Sequence, residues 1–237
     1  MEYKRTNIKT LIIFASIIVL LIVVWFHGFT VVKIQQMEEI KSSEEFNPKA
    51  FVDNIWESKL IPTIQEKAVD LSKLLGEIKP DDSGFISKES LIPVTKNYGL
   101  ITAGEAHVYA VKGQGKVVEV NTKTSLGKLE LLPEGYTGPI KVIFYIGPRI
   151  PSDESSIRDV VGFINFGDFR EQTEYGKVNL GINQRTLQQI NLSINQDPNN
   201  LEDKTISFYG AFTIRTFNLT KINVQQINIV PIHIEIL

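Results

Sequence analysis

The chain has 237 residues with a formal net charge of −2 and no cysteine. Disulfides, thiol catalysis, cysteine-ligated metals and a lipidated N-terminal cysteine are excluded. No global positive field exists to hold nucleic acid, and nucleic acid is not expected as a partner.

Between Lys9 and Lys33 there is no formally charged side chain, and Leu11–Phe26 is apolar except for Ser16. At about 1.5 Å rise per residue this run can cross a hydrocarbon core of roughly 30 Å as one helix. The spacing predicts a transmembrane anchor over 10–32, with Leu11, Ile18 and Leu21 in the lipid and Trp25 near its outer end. Residues 1–9 carry Lys4, Arg5 and Lys9 and are expected inside. The protein is thus expected to be single-pass in the cytoplasmic membrane, with everything after Lys33 extracytoplasmic. No small-x-small cleavage pattern follows the run, so retention of the anchor is expected.

Residues 33–47 read as a stalk: either a helical extension with Ile34, Met37 and Ile40 in register, or a solvated linker. Residues 48–104 are expected to form a small helical subdomain. Asn47 and Pro48 suit a helix start. Phe51, Ile55, Trp56 and Leu60 form an apolar stripe, and Pro62 is expected to stop the helix near Leu60. A second helix is predicted from Thr63, with Ile64, Ala68, Leu71 and Leu75 inward, closing at Gly76. Ser87-Lys-Glu-Ser90 can start a further short helix.

From Glu105 to the C-terminus the period becomes that of strands. His107–Val111 and Lys116–Thr122 alternate about Gly113-Gln-Gly115, which predicts a hairpin with Val118 and Val120 inward. Leu126–Leu132 and Ile140–Ile146 are further strands, and Asp153–Asp159 starts a short helix. Phe169–Ile190 is the longest predicted helix of this part, with Tyr175, Val178 and Ile182 on one face and Gly176 and Gly181 opposing it. Ile206, Phe208, Phe212 and Ile214 share one strand parity about Gly210. In the last strand Ile227 and Ile229 share one parity, and Val230, Ile232, Ile234 and Ile236 the other. That predicts a bulge or break at Val230-Pro231. The fold class is therefore α+β: a transmembrane helix, a helical subdomain, and over 105–237 an OB-like antiparallel β-barrel with one long helix between strands.

Several phrases carry a resemblance: Phe51-Val-Asp-Asn-Ile-Trp-Glu-Ser-Lys-Leu-Ile-Pro62, Glu66-Lys-Ala-Val-Asp-Leu71, Val111-Lys-Gly-Gln-Gly-Lys-Val-Val-Glu-Val-Asn121, Gly162-Phe-Ile-Asn-Phe-Gly-Asp-Phe169 and Phe208-Tyr-Gly-Ala-Phe212. Over 46–237 the chain resembles a bacterial family of predicted periplasmic lipoproteins without assigned function (domain of unknown function 2291). The resemblance implies a helical part followed by an OB-like barrel, and a genomic neighbourhood of ribose-type sugar ABC importers. It supplies no catalytic residues. The chain departs from it by lacking the acylated cysteine, so a protein helix is expected to replace the lipid anchor.

Few residues suggest chemistry. Gly113-Gln-Gly115 opens no helix and lacks the Lys-Ser/Thr of a phosphate loop. His27, His107 and His233 show no ligand spacing, and no metal or cofactor is expected. Asp168, Glu171 and Glu174 can serve as carboxylates of a hydrolase, or Asp168 can cap the following helix with Glu171 as its box partner. Trp56, Glu57 and Lys59 form the candidate interaction patch: an aromatic platform for a sugar, or a Trp packed between helix and barrel with both charges solvated. Phe163, Phe166 and Phe169 are expected in the core. Lys112, Lys116, Lys123 and Lys128 are diluted by Glu119 and Glu130, short of the basic groove that single-strand binding needs. Asn191-Leu-Ser and Asn218-Leu-Thr match glycosylation acceptors, as chance often supplies.

The expected function is that of a non-enzymatic, membrane-anchored accessory protein of a sugar ABC import system. Its partners would be the membrane and a sugar permease or sugar-binding protein, with the oligomeric state open. A saccharide- or cell-wall-fragment-binding module is the alternative, and a carboxylate-dependent hydrolase a third.

Overall fold

In the computed structural model, residues 46–194 and 197–237 are described. The expected basic end, anchor and most of the stalk lie outside them. No helix among the described residues is long and apolar enough to cross a membrane.

Asn47 caps the first helix, its Oδ1 accepting from the Ala50 amide at 3.0 Å, and α1 runs Pro48–Ile55. Pro62 does not stop the chain there. A π-helical turn, Trp56–Leu60, leads directly into α2, Ile61–Lys67. The amide of Ile61 donates to the Trp56 carbonyl five residues back, so the wider turn makes room for the proline ring. The predicted second helix is also divided. Ala68 is extended, β1 (Val69–Asp70) pairs parallel with the main sheet, and Asp70 caps α3 (Leu71–Glu77) by accepting from the Lys73 amide at 2.9 Å. After β2 (Phe85–Ser87), Ser87 caps α4 (Lys88–Tyr98), a full helix where sequence pattern indicated a short one.

β3 (Leu100–Ile101) and β4 (Ala106–Asn121) follow. The expected hairpin at Gly113–Gly115 does not exist, because β4 is one strand of 16 residues. Its first part pairs with β7 and its second with β5, both contacts meeting around Gly115. A Cβ on Gly115 would lie 2.5 Å from the Leu132 carbonyl oxygen, so glycine there permits close approach of a neighbouring strand instead of a turn. A bulge between Val117 and Glu119 changes the expected facing on one side: Val117 is buried and Val118 is exposed, while Val120 packs against the core as expected.

The remaining elements are β5 (Lys128–Pro133), β6 (Lys141–Tyr145), α5 (Ser156–Val161), a 3₁₀ turn (Phe166–Asp168), α6 (Gln172–Ser193), β7 (Thr205–Arg215), β8 (Lys221–Asn223) and β9 (Gln226–Ile236). The ladder runs β4-β5-β6-β9-β7 and returns to β4, with β6–β9 parallel and the other pairs antiparallel. Closure leaves these five strands without a free edge apart from the short flanking β1 and β3 on β4, and α6 lies between the third and fourth barrel strands in chain order, as in an OB barrel. β8 pairs with β2 in a separate small ribbon.

The barrel is filled by alternate side chains, among them Tyr109, Val117, Leu129, Phe144, Phe208, Phe212, Ile229 and Ile234. Phe144 meets Phe208 edge-on at 4.7 Å, and Tyr109 stacks on Phe212 at 4.9 Å. The β7–β9 register shifts where Tyr209 pairs with His233 but Gly210 with Pro231, so β9 carries one extra residue. This is where sequence parity breaks, and it lets Ile227, Ile229 and Ile234 all enter the core. Outside the barrel, α1 packs on α6, where a Cβ on Gly181 would sit 3.2 Å from Val52 Cγ2.

Candidate functional site

Trp56 is 1% exposed, whereas Glu57 and Lys59 point to solvent. The three do not form one surface: the Arg185 guanidinium lies 5.9 Å from the Trp56 ring, and the Lys59 ammonium sits 4.0 Å above Phe163. No ring face remains at Trp56 for a sugar to stack on.

The carboxylates also take other roles. Asp168 does not begin the long helix. It closes a capping box on the preceding 3₁₀ turn, its Oδ2 accepting from the Asn165 amide at 2.9 Å. Glu174 Oε2 accepts from the Arg170 amide at 2.9 Å, and Glu171 Oε2 from the Thr173 hydroxyl at 3.0 Å. His107 is buried at a position paired with Ile214, while His233 is exposed at a position paired with Tyr209. Among the described residues no group of three or more His, Cys, Asp or Glu side chains can hold a metal ion.

A groove that sequence reasoning did not assemble is the candidate site. It encloses about 680 Å³ between residues 100–104 on one wall and 162–166 on the other, with Lys67, Arg158, Asp159 and Tyr175 contributing to its lining. Each wall has a local cause. Thr102 N–H donates to the Ala106 carbonyl at 2.9 Å and closes the turn after β3. Gly162, at φ 74°, ends α5 in the left-handed conformation that turns the chain toward Phe166. Lys67 Nζ donates to the Val160 and Val161 carbonyls at 3.2 and 2.8 Å, where the negative end of the helix favours a cation.

Arg158 and Asp159 of this lining are spent on each other and on their neighbours, while Lys67 is held by the Val160 and Val161 carbonyls. Asp159 accepts from Ser155 Oγ at 2.7 Å, from Arg158 Nε at 2.8 Å and from the Tyr175 hydroxyl at 3.4 Å. The Arg158 guanidinium lies 3.8 Å from the centre of the Tyr175 ring. Burial pushes the Tyr175 phenol up from its ordinary value. The rim is different: Leu100, Ile101 and Phe166 are 37%, 38% and 57% exposed. Phe166 is therefore not core as expected, although its ring meets Tyr175 edge-on at 5.7 Å, and Phe163 and Phe169, half-buried, also lie outside the core. A second hollow of about 690 Å³, lined by residues such as Asp81, Asp82, Lys141 and Gln225, presents no aromatic side chain.

Two buried polar groups escaped the sequence pattern. Glu154 is 8% exposed; its carboxylate accepts from the Ser156 amide at 2.9 Å, and burial raises its pKa. Beneath β3, Thr95 Oγ1 lies 2.6 Å from His107 Nδ1, 2.5 Å from the Tyr109 hydroxyl and 3.1 Å from the Leu91 carbonyl. The contacts close if Thr95 donates to Leu91 while the neutral His107 and Tyr109 donate to Thr95. Burial pushes the Tyr109 phenol up to about 12.

Burial, aided by the nearby Lys88, also lowers the His107 pKa against an opposing effect of Glu105. The unfolded chain then takes up a proton that the folded one resists. Stability from this group is complete above the unfolded value of 6.5 and is lost as pH falls through the lower folded value. The raised pKa of Glu154 acts in the opposite sense over part of this range, so the comparison must isolate His107. Between about pH 7.5 and pH 5, the wild type is expected to lose more stability than His107→Gln, measured by urea midpoints. Equal losses would contradict the assignment.

A crystal structure of an OB-fold protein from Thermotoga maritima superposes with a TM-score of 0.58 at 16% identity, covering 82% of this chain and 100% of that one. At this identity the likeness speaks for the fold alone. No curated protein matches the chain. Residues 19–235 match the family described as predicted periplasmic lipoprotein, domain of unknown function 2291. That description implies an extracytoplasmic, membrane-associated protein, while the cysteine on which a lipid would be carried is absent from the 237 residues. With the match spanning the barrel, its helices and the groove, the chain belongs to this predicted periplasmic lipoprotein family.

Proposed function

We propose that the protein is a membrane-tethered extracytoplasmic accessory module of a sugar ABC import system, working by docking and without catalysis. The charge-free segment 10–32 would serve as the tether in place of a lipid. Confinement to a thin layer raises the local concentration of the domain near a permease or sugar-binding protein, which makes a modest docking affinity sufficient. The observation that carries this reading is the composition of the groove. Its carboxylate and guanidinium are consumed internally, and Leu100, Ile101 and Phe166 stand exposed on its walls, with Lys67 and Asn165 as exposed polar side chains beside them. Such a surface suits an apolar segment of another protein better than a polar small molecule.

Crosslinking the intact protein in native membranes is expected to recover a permease or sugar-binding component. Recovery of the protein with no transporter component would refute the proposal. Phe166, exposed beside Asn165, also favours a second reading in which a saccharide ring stacks in the groove. Calorimetry with a sugar panel on the detergent-solubilised chain separates the two: saturable heat supports the saccharide, and its absence supports docking.

A further inference from the structure

We propose that the groove between α1 and α6 is an anion site for a phosphate group, in which Arg185 supplies a planar fork of donors and Lys177 a second charge. The site goes beyond the docking reading and does not depend on it. It encloses about 300 Å³ and shares no lining residue with the groove beside β3. Lys49, Lys177 and Arg185 bring three cations to it, and Asp53 one carboxylate. On α6, positions 177, 181, 184, 185 and 188 recur at helical spacing, so one face carries both cations and the amides of Gln184 and Gln188. Gly181 lies between them and has no side chain to fill the space. There α1 comes so near that a Cβ would sit 3.2 Å from Val52 Cγ2.

The carboxylate of this groove is already engaged. Asp53 Oδ2 accepts from Lys49 Nζ at 2.6 Å, one turn back on α1, and that hydrogen bond holds its carboxyl below the usual value. Arg185 acts on Asp53 only at longer range. Arg158 and Arg215 each reach a carboxylate, at 2.8 and 3.2 Å, whereas Arg185 has no ion pair or hydrogen bond among the described residues. Its own helix offers no carboxylate: the residues three and four away are Gly181, Ile182, Gln188 and Gln189. Nor does the side chain extend into water. It is half-buried, with its guanidinium 5.9 Å from the Trp56 ring and its Nε buried without an acceptor. Swinging outward would hydrate all five N–H groups. Held against the indole instead, with Lys177 about two turns away, it presents a fork whose geometry matches an oxyanion. Two cations and two amides offer more donors than the two oxygens of a carboxylate can accept. The further oxygens of a phosphate ester satisfy them, and the volume suits a small headgroup.

Such a phosphate has two sources, an anionic lipid headgroup and a soluble phosphate ester, and the test separates them. The full chain in nonionic detergent micelles is titrated calorimetrically with glycerol 3-phosphate and, separately, with dihexanoyl phosphatidylglycerol. Saturable heat is expected. Arg185→Gln should lower the affinity about tenfold or more, the scale of a lost bidentate charged contact. Arg185→Lys keeps the charge but not the fork and should recover only part of that loss. Lys177→Gln should weaken binding about threefold, as an exposed charge does. Asp53→Asn removes the opposing carboxylate and frees Lys49, so it should tighten binding about threefold. Because Arg185→Gln also removes a buried donor without an acceptor, the melting temperature should hold or rise.

Arg185-dependent binding of both probes, or of one alone, supports the site and assigns the source. Absence of saturable heat with both would overturn the proposal. So would an equal loss in Lys123→Gln, an exposed lysine outside the groove, because general attraction of anions would then suffice. If Arg185→Gln melts early, Lys177→Gln and Asp53→Asn decide the matter: affinities moving in opposite directions support the site, and affinities that do not diverge refute it.

Discussion

Trp56→Ala is expected to destabilise the protein by about 3–5 kcal/mol, the range for truncating a fully buried large aromatic. The indole is 1% exposed in the π-turn that joins α1 to α2, and its removal leaves a void that a helix bulged over Trp56–Leu60, with α1 packed on α6, cannot collapse to fill. The measurement is the urea midpoint, with an unchanged slope showing that only stability moved. Trp56→Phe separates shape from polarity. The indole Nε1 is buried without a hydrogen-bond partner, so phenylalanine loses volume but also removes an unsatisfied donor. Its cost is expected below about 1.5 kcal/mol, as for conservative apolar exchanges. If both variants leave stability unchanged, Trp56 is not the wedge described.

The second large effect is expected at Gly210. A Cβ there would lie 2.7 Å from the Val230 carbonyl oxygen, 2.8 Å from Ile229 Cγ2 and 3.0 Å from Pro231 Cα. Two of these are backbone atoms of β9 at its bulge, which cannot rotate aside. Gly210→Ala should therefore cost about 1–3 kcal/mol as an overpacked site, and Gly210→Val more, since two further carbons enter the same gap. Thermal melting in detergent reports both. Because Gly210 pairs with Pro231 where the β7–β9 register shifts, the valine variant should also speed amide exchange along β9 beyond Pro231. Melting of Gly210→Val at the wild-type temperature would show that the strands separate there at no cost.

The candidate site was less legible than the fold. Its walls come from segments about 60 residues apart, and its floor adds Lys67 and Tyr175. Phe163, Phe166 and Phe169 look alike by spacing. Yet Phe169 packs between Phe51 and Tyr175, Phe163 carries the Lys59 ammonium, and Phe166 stays exposed on the 3₁₀ turn with one edge against Tyr175 of α6. Leu100 and Ile101 gave no periodic signal, being a strand of two residues.

What the chain's own pattern determined is the set of elements whose burial is regular. The parity of Ile206, Phe208, Phe212 and Ile214, the face of Val178 and Ile182 on α6, and the change of parity near Pro231 all follow from which side of a strand or helix meets water. Tertiary structure decided the cases in which one local signal serves two geometries. Gly113-Gln-Gly115 reads as a turn, but the glycine at 115 serves equally well where neighbouring strands crowd together, and only the partners of β4 choose between them. Pro62 forbids one hydrogen bond but not the wider turn that avoids it. Asp168 is a capping residue in either case, and which turn it caps depends on how residues 162–171 lie against the rest of the molecule. Periodicity records contact with solvent, whereas these choices depend on atoms brought close from distant parts of the chain.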